Sequence, residues 1–317
     1  MLYNKTASCY NKKRGKSEED MKKVLLIYNP VSGKNSRRKS VEEMTALMKA
    51  TGADVDAYVT ERRGSATDKA AEAEGYDVIA VAGGDGTLNE VLNGIVRKDE
   101  ASRPAILYIP SGTTNQTATA FGLPTKTKDA IALLRNGETK AYDLGRFNDR
   151  VYIDVTGFGY GTESSLTTLQ KWKNRWGFKA FLYNQAKYLF KIKPVHMKIT
   201  YDGGEIEDDF VFGNLVNTAM ISTFVKLNDK GVAMDDGYLD LILIKNVKNV
   251  WQMPAAFIRL LQKKFDGKRS FLIHAKHFTL TPSAETVFLI DGERRVESTP
   301  VTVDVLPGAF KLYIPKK

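Results

Sequence analysis

The stretch Val81-Ala82-Gly83-Gly84-Asp85-Gly86-Thr87-Leu88-Asn89-Glu90 constrains the fold of this chain more than any other. The apolar run from Asp77 to Ala82 reads as a buried strand, and a helical pattern begins directly after three glycines set around one aspartate. Glycines at a strand-to-helix turn let backbone N–H groups approach a ligand closely. The helix N-terminus that follows favours an anion such as phosphate. The competing reading is a tight βα turn with no ligand, which ordinarily needs one glycine. Three glycines favour a phosphate site.

Around this turn, strand and helix alternate. Lys23 to Asn29 is a short apolar strand ending in the loop Asn29-Pro30-Val31-Ser32-Gly33-Lys34. Ser36 is placed to cap the next helix, whose apolar positions are Val41, Met44, Leu47 and Met48, with Gly52 closing it. A strand over Asp54 to Thr60 and a helix over Ser65 to Glu74 come next. Beyond the glycine turn, Ala105 to Ile109 is a strand stopped by Pro110, and Thr127 to Arg135 is a helix ending near Gly137. Short connections and this alternation imply a parallel sheet with helices on both faces. Loops at the carboxyl ends of its strands then converge on one crevice, which would bring Asn29–Lys34, Gly83–Asn89 and Pro110–Asn115 together.

Two nucleotide fingerprints are absent. A P-loop needs glycine at position 28 and Ser/Thr at 35, where this chain has Tyr28 and Asn35; a dinucleotide site needs G-x-G-x-x-G after the first strand, which has only Gly33.

From about Arg146 the pattern changes to short alternating strands. These are Val151–Gly157, Val195–Tyr201, Phe210–Val216, Leu239–Ile244, Phe278–Thr281, Val287–Ile290, Val301–Leu306 and Lys311–Ile314. They predict an antiparallel sandwich or barrel-like unit. The expected organisation is an extension over 1–20, disordered or a leader, then an α/β nucleotide-binding domain over 21–145. A β-rich domain over 146–317 carries basic helical insertions, its last strands free to return to the first domain, with a cleft between the two. The chain of 317 residues is long enough for both.

Composition narrows the chemistry. The only cysteine, Cys9, lies in the extension, so no disulfide or cysteine-ligated metal is expected, and the default location is cytoplasmic. No run approaches the ~18 apolar residues of a membrane span, and residues 1–20 lack the apolar centre of a signal peptide. The net charge of +10 points to an anionic partner. No zinc-finger spacing or RNA-binding aromatic signature accompanies it, so nucleic acid is not expected.

The order of motifs identifies a family resemblance. Asn29-Pro30-Val31-Ser32-Gly33-Lys34, then Gly83-Gly84-Asp85-Gly86-Thr87-Leu88-Asn89-Glu90, then Pro110-Ser111-Gly112-Thr113-Thr114-Asn115 resemble the diacylglycerol kinase catalytic-domain family. Met234-Asp235-Asp236-Gly237-Tyr238-Leu239 and Asp291-Gly292-Glu293 continue the resemblance in order, so it covers the chain from Met21 onward. The family includes soluble bacterial lipid kinases and relatives of sphingosine and ceramide kinases.

The resemblance implies a kinase that uses ATP and Mg²⁺ to phosphorylate a lipid hydroxyl, diacylglycerol first. Asn29, Pro30, Val31, Ser32, Gly33, Lys34, Thr60, Gly83, Gly84, Asp85, Gly86, Thr87, Leu88, Asn89 and Thr113 would line the ATP site. Asp236, with the carbonyls of Ala233 and Tyr238, would form a structural magnesium loop. Glu293 would accept the proton with Asp291 beside it, and Asp85 would hold a catalytic Mg²⁺ directly or through water. On pattern alone, Asp291-Gly292 and Asp236-Gly237 read as plain hairpin turns. The third loop departs from the family, which usually has an acid where this chain has Gln116 and a Phe-Ala-Arg continuation that is missing here.

Two basic stretches interleave aromatics. Lys171 to Lys193 contains seven Lys/Arg and no acid around Trp172, Trp176, Phe181, Tyr188 and Phe190. Lys245 to Arg269 repeats the theme around Trp251, Phe257 and Phe265, with Asp266 its lone acid. Such helices either pack their aromatics on the core or lie on an anionic membrane. A lipid substrate selects the second, making the protein peripheral to the inner face of the membrane; a homodimer is compatible with the resemblance. His196, His274 and His277 read as structural. Two other functions stay open: an NAD kinase sharing the glycine turn, and a regulatory member that binds nucleotide or lipid without efficient turnover.

Overall fold

The computed structural model describes residues 21–33, 40–113, 115–159, 193–218, 220–222, 225–226, 233–246, 259, 262 and 264–316. The first half alternates as the pattern requires: β1 (Lys23–Tyr28), α1 (Val41–Lys49), β2 (Asp54–Val59), α2 (Ser65–Glu72), β3 (Val78–Gly83), α3 (Asp85–Ile95), β4 (Ala105–Pro110), α4 (Gln116–Ala120) and α5 (Thr127–Asn136). The four strands pair in parallel in the order β4-β3-β1-β2. Side chains alternate across the sheet. Leu25, Ile27, Ile79, Val81, Ile106 and Tyr108 face a core closed by α2 and α3. Val24, Leu26, Val78, Ala80, Leu107 and Ile109 face another, closed by α1 and α5.

The start of α1 differs from expectation. Its cap is Ser40, whose Oγ accepts the Glu43 N–H at 3.2 Å while the Glu43 carboxylate accepts the Ser40 N–H at 3.0 Å. This reciprocal pair satisfies two orphan donors at once. Ser36 lies outside the described residues.

The second half contains β5 (Gly137–Phe147), β6 (Arg150–Tyr152), β7 (Val155–Gly159), β8 (Val195–Tyr201), β9 (Gly204–Val216), β10 (Met220–Ser222), β11 (Val225–Lys226), β12 (Leu239–Lys245), β13 (Ser270–Ala275), β14 (His277–Pro282), β15 (Thr286–Ile290), β16 (Glu293–Glu297) and β17 (Val301–Pro315). Its strands pair antiparallel around a core that includes Phe147, Tyr152, Phe158, Phe210, Phe278 and Phe288. The fold is thus mixed α/β, with parallel strands first and antiparallel strands later.

Both halves share one hydrogen-bonded sheet, ordered β16-β15-β7-β9-β8-β14-β17-β4-β3-β1-β2. The join is β17, a single 15-residue strand where the sequence suggests two. Pro307 and Gly308 give the appearance of a break, yet they form a bulge opposite β5, with the register shifting between Leu306 and Phe310. The β17 strand then runs parallel beside β4 at Leu312 and Ile106. The stretch expected as one strand over Val151–Gly157 is instead broken at Ile153 and Asp154, for a reason that belongs to the site.

Candidate active site

Because β1, β3 and β4 are neighbours, the loops leaving their carboxyl ends share one edge. They also bond to one another. The Asn29 side-chain amide donates to Thr87 Oγ1 at 2.8 Å, and its carbonyl accepts the Val31 N–H at 3.0 Å. The hydroxyls of Ser32 and Ser111 share a hydrogen bond at 3.0 Å, and the Ser111 N–H donates to the Gly83 carbonyl at 2.8 Å. Two glycine contacts set the spacing. A Cβ on Gly112 would stand 2.7 Å from Gly84 Cα, and one on Gly33 would stand 1.9 Å from the Ser111 carbonyl oxygen. The loops therefore touch backbone to backbone.

Other residues expected here fall into three groups. Gly86, Pro30, Val31 and Thr113 are exposed along the edge, Gly84 and Asp85 are half-buried, and Gly83 is buried beneath Thr87. Thr60 follows β2, its N–H donating to the Tyr28 carbonyl at 2.9 Å, and Lys34 lies outside the described residues. The side chains of Leu88 and Asn89 turn inward, away from the edge. Leu88 is fully buried in the first core because helical spacing rotates it away from the edge. Asn89 is spent on structure: its amide donates to Asp291 Oδ2 at 2.7 Å and to the Val151 carbonyl at 3.3 Å, while its oxygen accepts from Asn93 and Arg150.

Asp85 caps a helix. Its carboxylate accepts the N–H groups of Gln116 at 3.0 Å and Thr117 at 3.2 Å, the first turn of α4, and the Tyr108 hydroxyl at 3.2 Å. A carboxylate offers about four lone-pair directions, so one remains for a further ligand. Burial pushes the Tyr108 hydroxyl far up, and the neighbouring Asp85 charge adds to the shift, so Tyr108 stays a donor.

Asp291 is likewise consumed. Its φ of 46° places it at the β15–β16 turn, where its oxygens accept N–H groups from Ile153 at 2.8 Å and from Asp154 and Val155 at 3.1 Å, besides the Asn89 amide. These bonds are why the chain bends at 153–154 instead of continuing as a strand. They suit Asp291 to positioning rather than to moving a proton.

Beside it, Asp154 is buried, with Oδ2 accepting from Thr117 Oγ1 at 3.3 Å and Oδ1 without a partner. Burial raises the Asp154 carboxyl well above the usual range, and the charges of Asp291 and Asp85 push it further. Burial raises the half-buried Asp291 carboxyl as well, but there three backbone N–H groups and the Asn89 amide oppose the shift, whereas at Asp154 only the Thr117 hydroxyl does.

Glu293 stands at the first position of β16, half-buried, with a guanidinium on each oxygen. Arg63, from the loop after β2, meets Oε1 at 2.5 Å, and Arg150, at the start of β6, meets Oε2. Burial opposes its ionisation, but the two arginines outweigh that and hold its carboxyl below the usual range.

The loop expected to take a structural Mg²⁺ is pinned in place. Asp236 Oδ1 accepts the Tyr238 N–H at 3.0 Å, and the buried Asp143 accepts the Gly237 N–H at 2.7 Å with one oxygen and the Gly308 N–H at 2.7 Å with the other. Asp235 turns away to Lys140 at 2.5 Å. Among the described residues no group of three or more His, Cys, Asp or Glu is placed to hold a metal. One carboxylate with the carbonyls of Ala233 and Tyr238 is still a hard-oxygen donor set of the kind a largely hydrated Mg²⁺ accepts.

Sequence reading missed Arg63, Arg150, Asp143 and Asp154. No motif marks them, since each matters only through a partner far away in sequence. A weak signal existed in Asp154, a carboxylate inside an apolar strand pattern.

Comparison with known proteins agrees with the motif order. The family model for the diacylglycerol kinase catalytic domain matches residues 23–147. A diacylglycerol kinase of Staphylococcus saprophyticus is 32% identical over 277 residues, covering 86% of this chain and 89% of its own. One from Staphylococcus carnosus is 35% identical, covering 71% and 73%. A crystal structure of a diacylglycerol kinase from Bacillus anthracis superposes with a TM-score of 0.69 at 26% identity, covering 93% of this chain and 98% of that one. With this fold, these motifs and these relatives, the chain belongs to the diacylglycerol kinase family and is a kinase.

Proposed function

We propose that the protein transfers the γ-phosphate of ATP to the hydroxyl of diacylglycerol, with Mg²⁺ required. The observation that carries this reading is the edge itself: three glycine-packed loops lie on it, and Arg63 from the same edge reaches the carboxylate of Glu293. The loops accept the nucleotide phosphates through backbone N–H groups. Glu293 takes the proton of the lipid hydroxyl as its oxygen attacks the γ-phosphorus. A new O–P bond forms, the bond to the bridging oxygen breaks, and its electron pair leaves with ADP. Mg²⁺ would neutralise phosphate charge when bound, and Asp85, with one lone-pair direction unused among its described bonds, would help hold it. Asp291 holds the turn that carries Glu293.

The test is a mixed-micelle assay with labelled ATP and diacylglycerol. Lipid phosphorylation that depends on Mg²⁺ and falls about 10²–10⁴-fold in Glu293→Gln supports the reading. Equal rates in the variant and wild type overturn the role of Glu293, and label passing to NAD instead of lipid overturns the acceptor.

The same reading places the protein at an anionic membrane surface. Among the described residues no helix is long and apolar enough to cross a membrane. The basic aromatic stretches 171–193 and 245–269 lie mostly outside the described residues, and their charge and tryptophans support surface docking. Vesicle sedimentation is expected to rise with anionic lipid and fall with salt; binding indifferent to both rejects docking through these stretches.

A further inference from the structure

A nucleotide polyphosphate brings several negative charges, yet the loops 83–89 and 111–120 contain no lysine or arginine, and the loop 29–34 contains one, Lys34, outside the described residues. Among the described residues, two cations from different segments converge on one carboxylate of this edge. Arg63 arrives from the loop between β2 and α2, and Arg150 from the start of β6. The adjacent Arg62 is engaged elsewhere, with Asp68 of the next helix at 2.9 Å. Both converging guanidiniums end on one carboxylate, Glu293. Arg150 also reaches Asn89 Oδ1 at 3.3 Å, at the base of the glycine turn.

We propose that Arg63 and Arg150 are phosphate-binding residues of the nucleotide site, held on Glu293 until a phosphate takes them over. The inference rests on the nucleotide site proposed above. Guanidinium binds phosphate through paired, charge-assisted hydrogen bonds, so a phosphate dianion competes effectively with a single carboxylate for each fork. The groups facing Glu293 are these two arginines, with Asp291 two residues away and Asn89 behind Arg150. When both guanidiniums move to phosphate, Glu293 loses the cations that hold its carboxylate charged and becomes a stronger base. Nucleotide binding and proton acceptance are thereby coupled. A phosphorylated lipid offers the same chemistry, but Arg63 leaves the carboxyl end of β2, directly beside β1 and its Asn29–Gly33 loop, which favours the nucleotide.

The test compares adenosine, ADP and ATP binding by calorimetry to the full chain and to Arg63→Gln, Arg150→Gln and Glu293→Gln. Each arginine change is expected to weaken ATP about tenfold or more while adenosine stays within about twofold, because only charge-assisted contacts to phosphate are lost. Glu293→Gln is expected to tighten ATP several-fold, since its competing charge is gone. Wild type that binds ATP no better than adenosine, variants that leave the ATP-to-adenosine ratio unchanged, or Glu293→Gln that weakens ATP each overturn the proposal. A parallel titration with phosphatidate micelles separates the two phosphate sources: phosphatidate binding lost with ATP unchanged also overturns it. Adenosine binding reports folding, and should Arg150→Gln fail to fold, the exposed Arg63 carries the same comparison. Intact discrimination for ATP without lipid phosphorylation defeats the proposed activity and leaves this assignment standing.

Discussion

At the scale of single residues, the most informative side chain is Asp154. It sits between Asp85 and Asp291 with one oxygen unpartnered, so its charged form is strongly disfavoured. A carboxyl whose folded pKa is raised contributes no penalty below the ordinary aspartate range and a growing one as pH rises toward the folded value. Wild-type stability should therefore decline from this source as pH climbs above about 4. Asp154→Asn keeps the shape and removes the titration. We expect it to be more stable than wild type by about 1–3 kcal/mol at pH 8, with a smaller difference at pH 5, measured by urea denaturation. An equal or reversed difference at the two pH values would show that Asp154 is already paired in solution. The same logic of partners distinguishes Glu293 from Asp291. Both are acids flanking Gly292, but one ends on arginine side chains and the other on backbone N–H groups. Only the first can be released without unfolding the turn.

At the scale of elements, the three loops act as one object. A Cβ on Gly112 would stand 2.7 Å from Gly84 Cα, so a methyl group there has nowhere to go except by separating the third loop from the glycine turn. Gly112→Ala should lower ATP affinity and lipid phosphorylation at least tenfold while costing about 1–3 kcal/mol of stability. Calorimetric titration beside a thermal melt checks this, and unchanged affinity would mean the loops bind independently. In the β-rich half, each described histidine stands directly across the ladder from an aspartate: His196 from Asp209, His274 from Asp240 and His277 from Asp304. The pairs are bonded at 2.9, 3.1 and 2.6 Å respectively. The structural role expected for them is a cross-strand one. No sequence spacing reveals it, because the partners come from register.

At the scale of the whole molecule, Asp143 is the junction. From β5 it accepts backbone N–H groups of the Asp236 loop and of the β17 bulge, tying together three segments separated by 94 and 165 residues from it. Asp143→Asn retains one acceptor and turns a donor toward the other N–H. We expect a loss of about 1.5–3 kcal/mol, with faster hydrogen exchange at Gly237 and Gly308 and less change in the parallel sheet. Uniformly faster exchange across the molecule would assign Asp143 to general stability instead. Since β17 pairs with β4, β5 and β14, it connects the first core to the second. The edge that carries the loops is therefore held to the turn that carries Glu293.

The sequence by itself determined the α/β alternation, the convergence of three loops on one edge, and the family to which the chain belongs. Those properties are written in local pattern: apolar runs for buried strands, glycines where backbones must touch, and motif order. The tertiary structure alone decided that β17 is one strand bridging two cores. It also decided that Asp85 and Asp291 spend their charge on backbone donors, that Leu88 and Asn89 face inward, and that Arg63 and Arg150 meet on Glu293. These depend on which distant groups burial and register bring within bonding distance, and no local pattern encodes that.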